Sequence, residues 1–225
     1  MESLDTRPWS PRAGDRIGID LDNTLADHDH LFVEVAREWG LLPSHSGPLA
    51  KSQLRPLIRH RPQGEERWIA LQGEVYGRRM TSARLMPGAA SFLDRCRRQG
   101  LAPWIISHKT HYAVLASEPL DLREAAMAWM AQQGFFADPG FAIPRERVLF
   151  ADDRRQKLEL IARVGCACFI DDLEELLIDP VFPTKVRRFL LHPAPTPLPV
   201  GPFQACRHWQ EIEHALFHTS RPPSS

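Results

Sequence analysis

Cysteine is scarce in this chain of 225 residues: there are four, Cys96, Cys166, Cys168 and Cys206. None forms a CxxC pair, and their spacing suits neither a disulfide framework nor a zinc site. Reduced, buried thiols are the expectation. Net charge is also absent, because 28 basic residues balance 28 acidic ones. That removes the broad electrostatic case for a nucleic-acid or anionic-membrane partner, although a local patch stays open. No apolar run approaches the roughly 20 residues that span a bilayer. The segment from Met1 to Arg16 holds Pro8, Pro11 and acidic residues, with no apolar stretch of a secretory signal. A soluble, cytoplasmic protein is therefore expected, and no membrane partner.

At this length the chain makes one large domain, or one domain with a modest insert, and buries enough surface for a full core without covalent staples. Residues 1–15 read as a loose leader. Ile17-Gly18-Ile19 then opens a short apolar run that ends at Asp20, the pattern of a buried strand. Residues 28–85 read as helical and charged, cut into short pieces by Pro43, Pro48, Pro56 and Pro62. Within them Trp68, Leu71 and Val75 share one helical face.

The second half alternates. A helix carrying Ala89, Phe92, Leu93 and Cys96 stops at Gly100, and a strand over Pro103–Ile106 ends at Ser107. Asp121-x-x-Glu124 opens a helix that runs to Gly134. A strand at Val148–Phe150, a helix ending near Gly165, a strand at Cys166–Ile170 and another at Arg188–Leu191 follow. Such alternation predicts an α/β fold, a parallel sheet with helices on both faces. Pro193–Pro202 holds five prolines and reads as an extended connector, with a last helix near Arg207–His218 and a disordered tail after it.

Ligands of an open α/β sheet bind beyond the carboxyl ends of its strands. The first strand delivers Asp20-Leu21-Asp22-Asn23-Thr24 there. Residues i and i+2 of an extended chain point the same way, so Asp20 and Asp22 face one pocket. Two carboxylates crowded together repel unless a cation lies between them, and hard oxygen ligands indicate Mg²⁺. An EF-hand is excluded because its sixth position needs glycine and here is Leu25; a plain Asp/Asn/Thr turn stays open. The strand ending in Ile170 delivers Asp171-Asp172, which either bind something or start a helix, a role that Glu174 and Glu175 also suit.

Taken in order, these pieces resemble the haloacid dehalogenase (HAD) superfamily of phosphohydrolases. Ile17–Leu25 is similar to its first motif. Met86-Pro87-Gly88 with the strand ending in Ser107 looks like the second block, Lys157 stands where the third places its basic residue, and Phe169-Ile170-Asp171-Asp172 is similar to the fourth. The resemblance covers residues 17–172. It implies a Rossmann-like three-layer sandwich with the first strand central. The core would be residues 16–26 and 87–192, a small helical cap of C1 type would occupy 27–86, and 193–225 would trail as connector, helix and tail.

The resemblance also implies roles. Asp20 would be the nucleophile that forms an aspartyl-phosphate, and Asp22 would protonate the leaving group and then activate water. Ser107 and Lys157 would hold the phosphoryl group. The metal ligands would be Asp20, Asp22 and Asp171, with Asp172 or Glu175 in support. Such chemistry is coherent on general grounds, because a carboxylate attacks phosphorus once metal and lysine neutralise the phosphate.

An alternative alignment makes Asp152-Asp153 the fourth motif and Lys109 the third. It leaves Cys166–Asp172 unexplained, and Lys109 follows Ser107 too closely to begin a new helix. Thr24, His108 and Lys109 are candidates for substrate or phosphate contact, the last two within Ser107-His108-Lys109-Thr110-His111, where a positive cluster suits a second anionic group. His28 and His30 stand near the first motif and read as solvated. Trp39, Trp68 and Tyr76 are candidates for specificity, with core packing expected for at least two of them. The expected activity is Mg²⁺-dependent hydrolysis of a small phosphate ester, a nucleotide or a sugar phosphate, since nucleotidases of the superfamily have caps of similar size and similar Ile-Asp-Asp endings. Transfer to an acceptor other than water, and a non-catalytic protein that binds a phosphorylated ligand or partner, are the alternatives.

Overall fold

The computed structural model describes residues 10–115, 118–194 and 196–217. Six parallel strands form its sheet. They are β1 (Arg16–Ile19), β4 (Ala102–His108), β5 (Val148–Ala151), β6 (Cys168–Asp171), β7 (Arg187–Leu191) and β8 (Gln204–Cys206), in the order β5-β4-β1-β6-β7-β8. β1 is central: Ile17 faces Pro103 of β4 on one side and Cys168 of β6 on the other.

The period-2 rule sorts the side chains into two cores. Ile17 and Ile19, Ile105, Cys168 and Ile170, and Phe189 and Leu191 pack on one face. Ile106, Phe169 and Leu190, each one residue out of step with those, pack on the other. Gly18 points to this second face, where a Cβ would lie 2.4 Å from Phe169 Cδ2 and 2.8 Å from Cys166 Sγ. Glycine at this position lets the Phe169 ring lie against the central strand.

Helices α4 (Ala89–Arg98), α5 (Leu122–Gln132) and α8 (Trp209–Phe217) contribute Phe92, Trp129 and Trp209 to the first core; α6 (Arg154–Val164) and α7 (Glu174–Leu177) contribute Leu158, Ile161 and Leu176 to the second. The sandwich is therefore the expected three layers. Local chemistry sets the helix ends. The Asp121 carboxylate accepts from the N–H groups of Arg123 and Glu124, and Asp153 accepts from Gln156, each filling a first-turn donor with no partner inside the helix. Gly165 closes α6 at φ 67°, a conformation that a side chain disfavours.

Between β1 and α4 the chain leaves the sandwich through a two-stranded antiparallel ribbon, β2 (Ala26–Asp27) with β3 (Arg84–Leu85), in which Ala26 faces Leu85. Three helices lie between the two strands: α1 (Asp29–Glu38), α2 (Lys51–Arg59) and α3 (Gly64–Tyr76). Phe32 of α1 stacks on Trp68 of α3, their ring centroids 5.3 Å apart, and Leu54 and Ile58 of α2 complete the packing. This layer is built by aromatic and aliphatic burial, which offsets the weak helix propensity of its short segments.

Three details depart from the sequence reading. Pro56 does not end a helix; it lies inside α2, so only Pro43, Pro48 and Pro62 separate helices. The strand leading to Asp171 begins at Cys168, two residues later than expected, although the Ala167 N–H already bonds Arg16 O of β1. The connector is followed by β8, paired in parallel with β7 from Phe189–Gln204 onward, where only a helix was expected. The expected tail falls at 218–225, outside the described residues, as does most of the expected leader. All four cysteines are free and buried, as their scarcity and spacing predicted. No helix among the described residues is long and apolar enough to cross a membrane.

Candidate active site

Asp20 follows β1 directly, its N–H bonded to Ile170 O of the neighbouring β6. Asp171 closes β6 itself. Two adjacent strands thus bring their terminal carboxylates together, and α6 supplies the cation between them. Lys157 Nζ lies 2.5 Å from Asp20 Oδ1 and 2.6 Å from Asp171 Oδ2, with all three side chains buried. Asp172 turns toward the same point. Ligand oxygens of Asp20, Asp171 and Asp172 all fall within 4.8 Å of one another, a spacing that can hold a metal ion.

The electrostatics follow from this crowding. Burial, assisted by the charges of Asp171 and Asp22, pushes the Asp20 carboxyl up to about 7 although Lys157 works against it. Burial together with Asp171 and Asp20 pushes Asp172 up to about 8. Burial opposes the charge on Lys157 too, but two carboxylates outweigh it and hold the ammonium above its ordinary value. Three acids around one lysine leave excess negative charge, the condition under which a hard divalent cation is taken up.

Asp22 is held differently. Its Oδ1 lies 3.0 Å from His28 Nε2 and its Oδ2 2.7 Å from Lys109 Nζ. Burial would raise its pKa, but Lys109 and His28 outweigh burial and keep it below the ordinary carboxylate range. The side chain of Asp22 therefore stands outside the Asp20–Asp171–Asp172 group, in contrast to its expected place among the metal ligands. Lys109, expected at a second anionic group, is spent on Asp22. His28, expected to be solvated, is fully buried beside it. Its role was hidden because a histidine six residues after Asp22 shows no periodic signal; the short β2 turns it back onto the carboxylate.

Ser107, the penultimate residue of β4, is buried with its hydroxyl unpartnered. His108 is exposed and bonds Asp152 O. Thr24 is buried and donates to Asp172 Oδ1 at 3.3 Å; it does not reach the cavity. Glu175 is exposed and outside the carboxylate group. The rival pair does not form a site: Asp153 caps α6, and Asp152 pairs with Arg123.

Asp20, Asp22, Ser107, Lys109, Lys157, Asp171 and Asp172 form the floor of a cavity of about 430 Å³. Its roof comes from the helical layer: Lys51 of α2 and Ile69, Gln72, Gly73 and Tyr76 of α3. The Tyr76 hydroxyl accepts from Lys51 Nζ at 2.5 Å, and burial pushes the phenol up to about 12, so it is neutral. Tyr76 thus lines the cavity, Trp68 is core, and Trp39 is 44 % exposed on the surface. Tyr76 also packs against the same core, its ring 5.5 Å from that of Phe32, so core packing holds for two of the three aromatics, as expected.

The fold, but not the sequence, has clear relatives. No protein-family model matches the chain, and no curated protein matches it. Solved structures of HAD-superfamily hydrolases do. One of subfamily IA, variant 1, from Geobacter sulfurreducens matches with a TM-score of 0.52 at 16% identity, over 92% of this chain and 100% of its own. A magnesium-bound HAD hydrolase from Bacillus subtilis gives 0.54 at 12%, over 91% and 99%. A HAD family hydrolase from Deinococcus radiodurans with bound phosphate and sodium gives 0.52 at 15%, over 91% and 96%. At these identities the likeness establishes the architecture, that of the HAD hydrolases.

Proposed function

We propose that this HAD-fold protein is a Mg²⁺-dependent phosphatase of a small phosphorylated metabolite. One observation carries the reading: Asp20, at the end of the central strand, opens into the cavity between Lys157 and a group of acids able to hold a cation, with a second carboxylate, Asp22, two residues on. A binding module needs neither a nucleophile nor an acid beside it. A halide leaves carbon without a proton, so a dehalogenase on this fold has no use for Asp22, whereas an alkoxide leaving phosphorus does. The neighbours solved with magnesium and with phosphate are in keeping with this choice.

In this reading an Asp20 carboxylate oxygen attacks phosphorus, the ester P–O bond breaks, and the departing alkoxide takes a proton from Asp22. Water, giving its proton back to Asp22, then cleaves the aspartyl-phosphate and releases inorganic phosphate. Lys157 and the free hydroxyl of Ser107 face the phosphoryl oxygens. Asp20, Asp171 and Asp172 would hold Mg²⁺, which supplies charge neutralisation. With Lys109 and His28 against it, Asp22 stays ionised; a phosphate dianion that draws Lys109 away and adds its own negative charge beside the buried carboxylate would push Asp22 above the ordinary range, where it can carry a proton.

The test is hydrolysis of p-nitrophenyl phosphate with Mg²⁺ and with chelator. Turnover should require the metal, and Asp20→Asn should lower it by about a thousandfold or more in a folded protein. If Asp20→Asn keeps its activity while Asp152→Asn loses it, the rival assignment is correct.

A further inference from the structure

The roof of the cavity carries a lysine with no carboxylate in contact with it, although Asp172 and Asp22 of the floor act on its charge from a distance. Three lysines line the cavity. Lys157 is paired with Asp20 and Asp171, and Lys109 with Asp22. Lys51 has no carboxylate within ion-pairing distance among the described residues. Its Nζ rests on the Tyr76 hydroxyl at 2.5 Å, 5.2 Å from the Tyr76 ring centroid and 5.6 Å from that of Phe32. Only its backbone N–H meets an acid, Asp29, at 2.9 Å.

Burial works against this ammonium, but the Tyr76 hydroxyl and the more distant charges of Asp172 and Asp22 outweigh it and keep the group charged, leaving a buried positive charge with no carboxylate in contact with it. The Tyr76 hydroxyl fixes its direction, because accepting from Nζ leaves the phenol proton free to donate in turn. Gln72, on the same helix four residues earlier, adds an amide to this wall. Here then is an ammonium, a phenol and an amide, all on the roof and facing a floor built for a phosphoryl group. Ile69, Val114 and Leu122 also line the cavity and offer apolar contact and no charge.

We infer that Lys51 is an anion clamp, and that the preferred ligand carries a second anionic group, a carboxylate or another phosphate, on the part of the molecule that points away from Asp20. The inference rests on the phosphatase reading for which end of the ligand meets the floor. It narrows the substrate class to phosphate esters with a charged tail and disfavours neutral sugar phosphates and simple alcohol phosphates.

The test uses binding, so that it stands apart from turnover. Phosphonates have a P–C bond that this chemistry does not cleave. Alkylphosphonates of two to five carbons, with and without a terminal carboxylate, are titrated calorimetrically onto the full chain in Mg²⁺. At the matching length the carboxylated member should bind about tenfold or more tightly, the worth of one charge-assisted contact. In Lys51→Gln the ratio of the two affinities should fall toward one. Lys51→Arg should restore part of it, and Tyr76→Phe, which removes the hydroxyl but keeps the ring, should reduce it. Equal affinities at every length in the wild type, a ratio unchanged in Lys51→Gln, or no binding of either series overturns the clamp. A preserved ratio change with no hydrolysis of p-nitrophenyl phosphate leaves the clamp standing and removes the phosphatase reading. Hydrolysis without any ratio does the reverse.

Discussion

Trp209 donates its indole N–H to the backbone carbonyl of Thr24 at 3.0 Å, tying the last described helix to the loop that carries Asp20 and Asp22. The two residues are 185 positions apart, and both are fully buried. Trp209 also packs on Phe92, ring centroids 4.8 Å apart. Helix α8 therefore acts on the site from beneath, without contributing a group to it. Trp209→Phe keeps most of the packing and leaves the Thr24 carbonyl without its partner, so it should cost about 1–3 kcal/mol. Denaturant midpoints measure this, and no change would mean that water replaces the bond.

The crowded acids make the metal-free protein sensitive to pH. Asp20 and Asp172 have folded values of about 7 and 8, above those of an unfolded chain. As pH rises above the ordinary carboxylate value, the unfolded chain releases these protons first, so the folded state binds more of them and stability falls with rising pH. The decline ends above about 8. In chelator the unfolding midpoint should drop between pH 5 and 8, and Mg²⁺ at pH 8 should restore it by binding the ionised acids. A midpoint that is flat or rises over that range in chelator contradicts this account.

Gly18→Ala tests the packing of the central strand. The added methyl would meet the Phe169 ring and Cys166 Sγ well inside contact distance. With β4 and β6 hydrogen-bonded on either side, the backbone has little room to yield. Overpacking of this kind costs about 1–3 kcal/mol. Because Asp20 lies two residues on, turnover of p-nitrophenyl phosphate should fall along with the denaturant midpoint. Loss of stability with full turnover would show that the strand end tolerates the shift.

Thiol reactivity reports the same cores. Burial pushes Cys96, Cys166 and Cys206 up to about 12 and holds Cys168 well above the ordinary thiol value. The thiolate is the reactive form. At pH 8 the native protein should react negligibly with a disulfide reagent, and four thiols should titrate once it is denatured. Fast reaction of any one in the native state would mark a core that opens.

The floor of the site was legible because its parts obey chain-local rules. Ile17-Gly18-Ile19 and Phe169-Ile170 are apolar runs ending in acids, and Asp121 and Asp153 mark helix starts. Lys157 was found by its order between those strands, not by its surroundings. The partnering was not legible. Nothing in Ser107-His108-Lys109 tells that Lys109 turns onto Asp22 while its neighbour His108 faces solvent. Nor does the sequence near Lys51 show that a tyrosine 25 residues later receives its ammonium; that contact depends on how α2 and α3 cross. β8 was missed because three residues after a proline-rich stretch carry too little pattern, and its pairing with β7 decides it.

The ion pair between Asp20 and Lys157 closes a loop of 137 residues, across the helical layer, α4, β4, α5, β5 and the first turn of α6. Contacts this distant in the chain form late, since the entropy of closing the loop is repaid only when the intervening elements are in place. A partly folded chain with β4, β5 and α6 assembled would hold Lys157 but not its acids, and one with β1 alone would hold Asp20 with no counter-charge. Recovery of function on refolding should therefore lag behind recovery of helical signal, and a nascent chain on the ribosome has no working site until residue 172 has emerged.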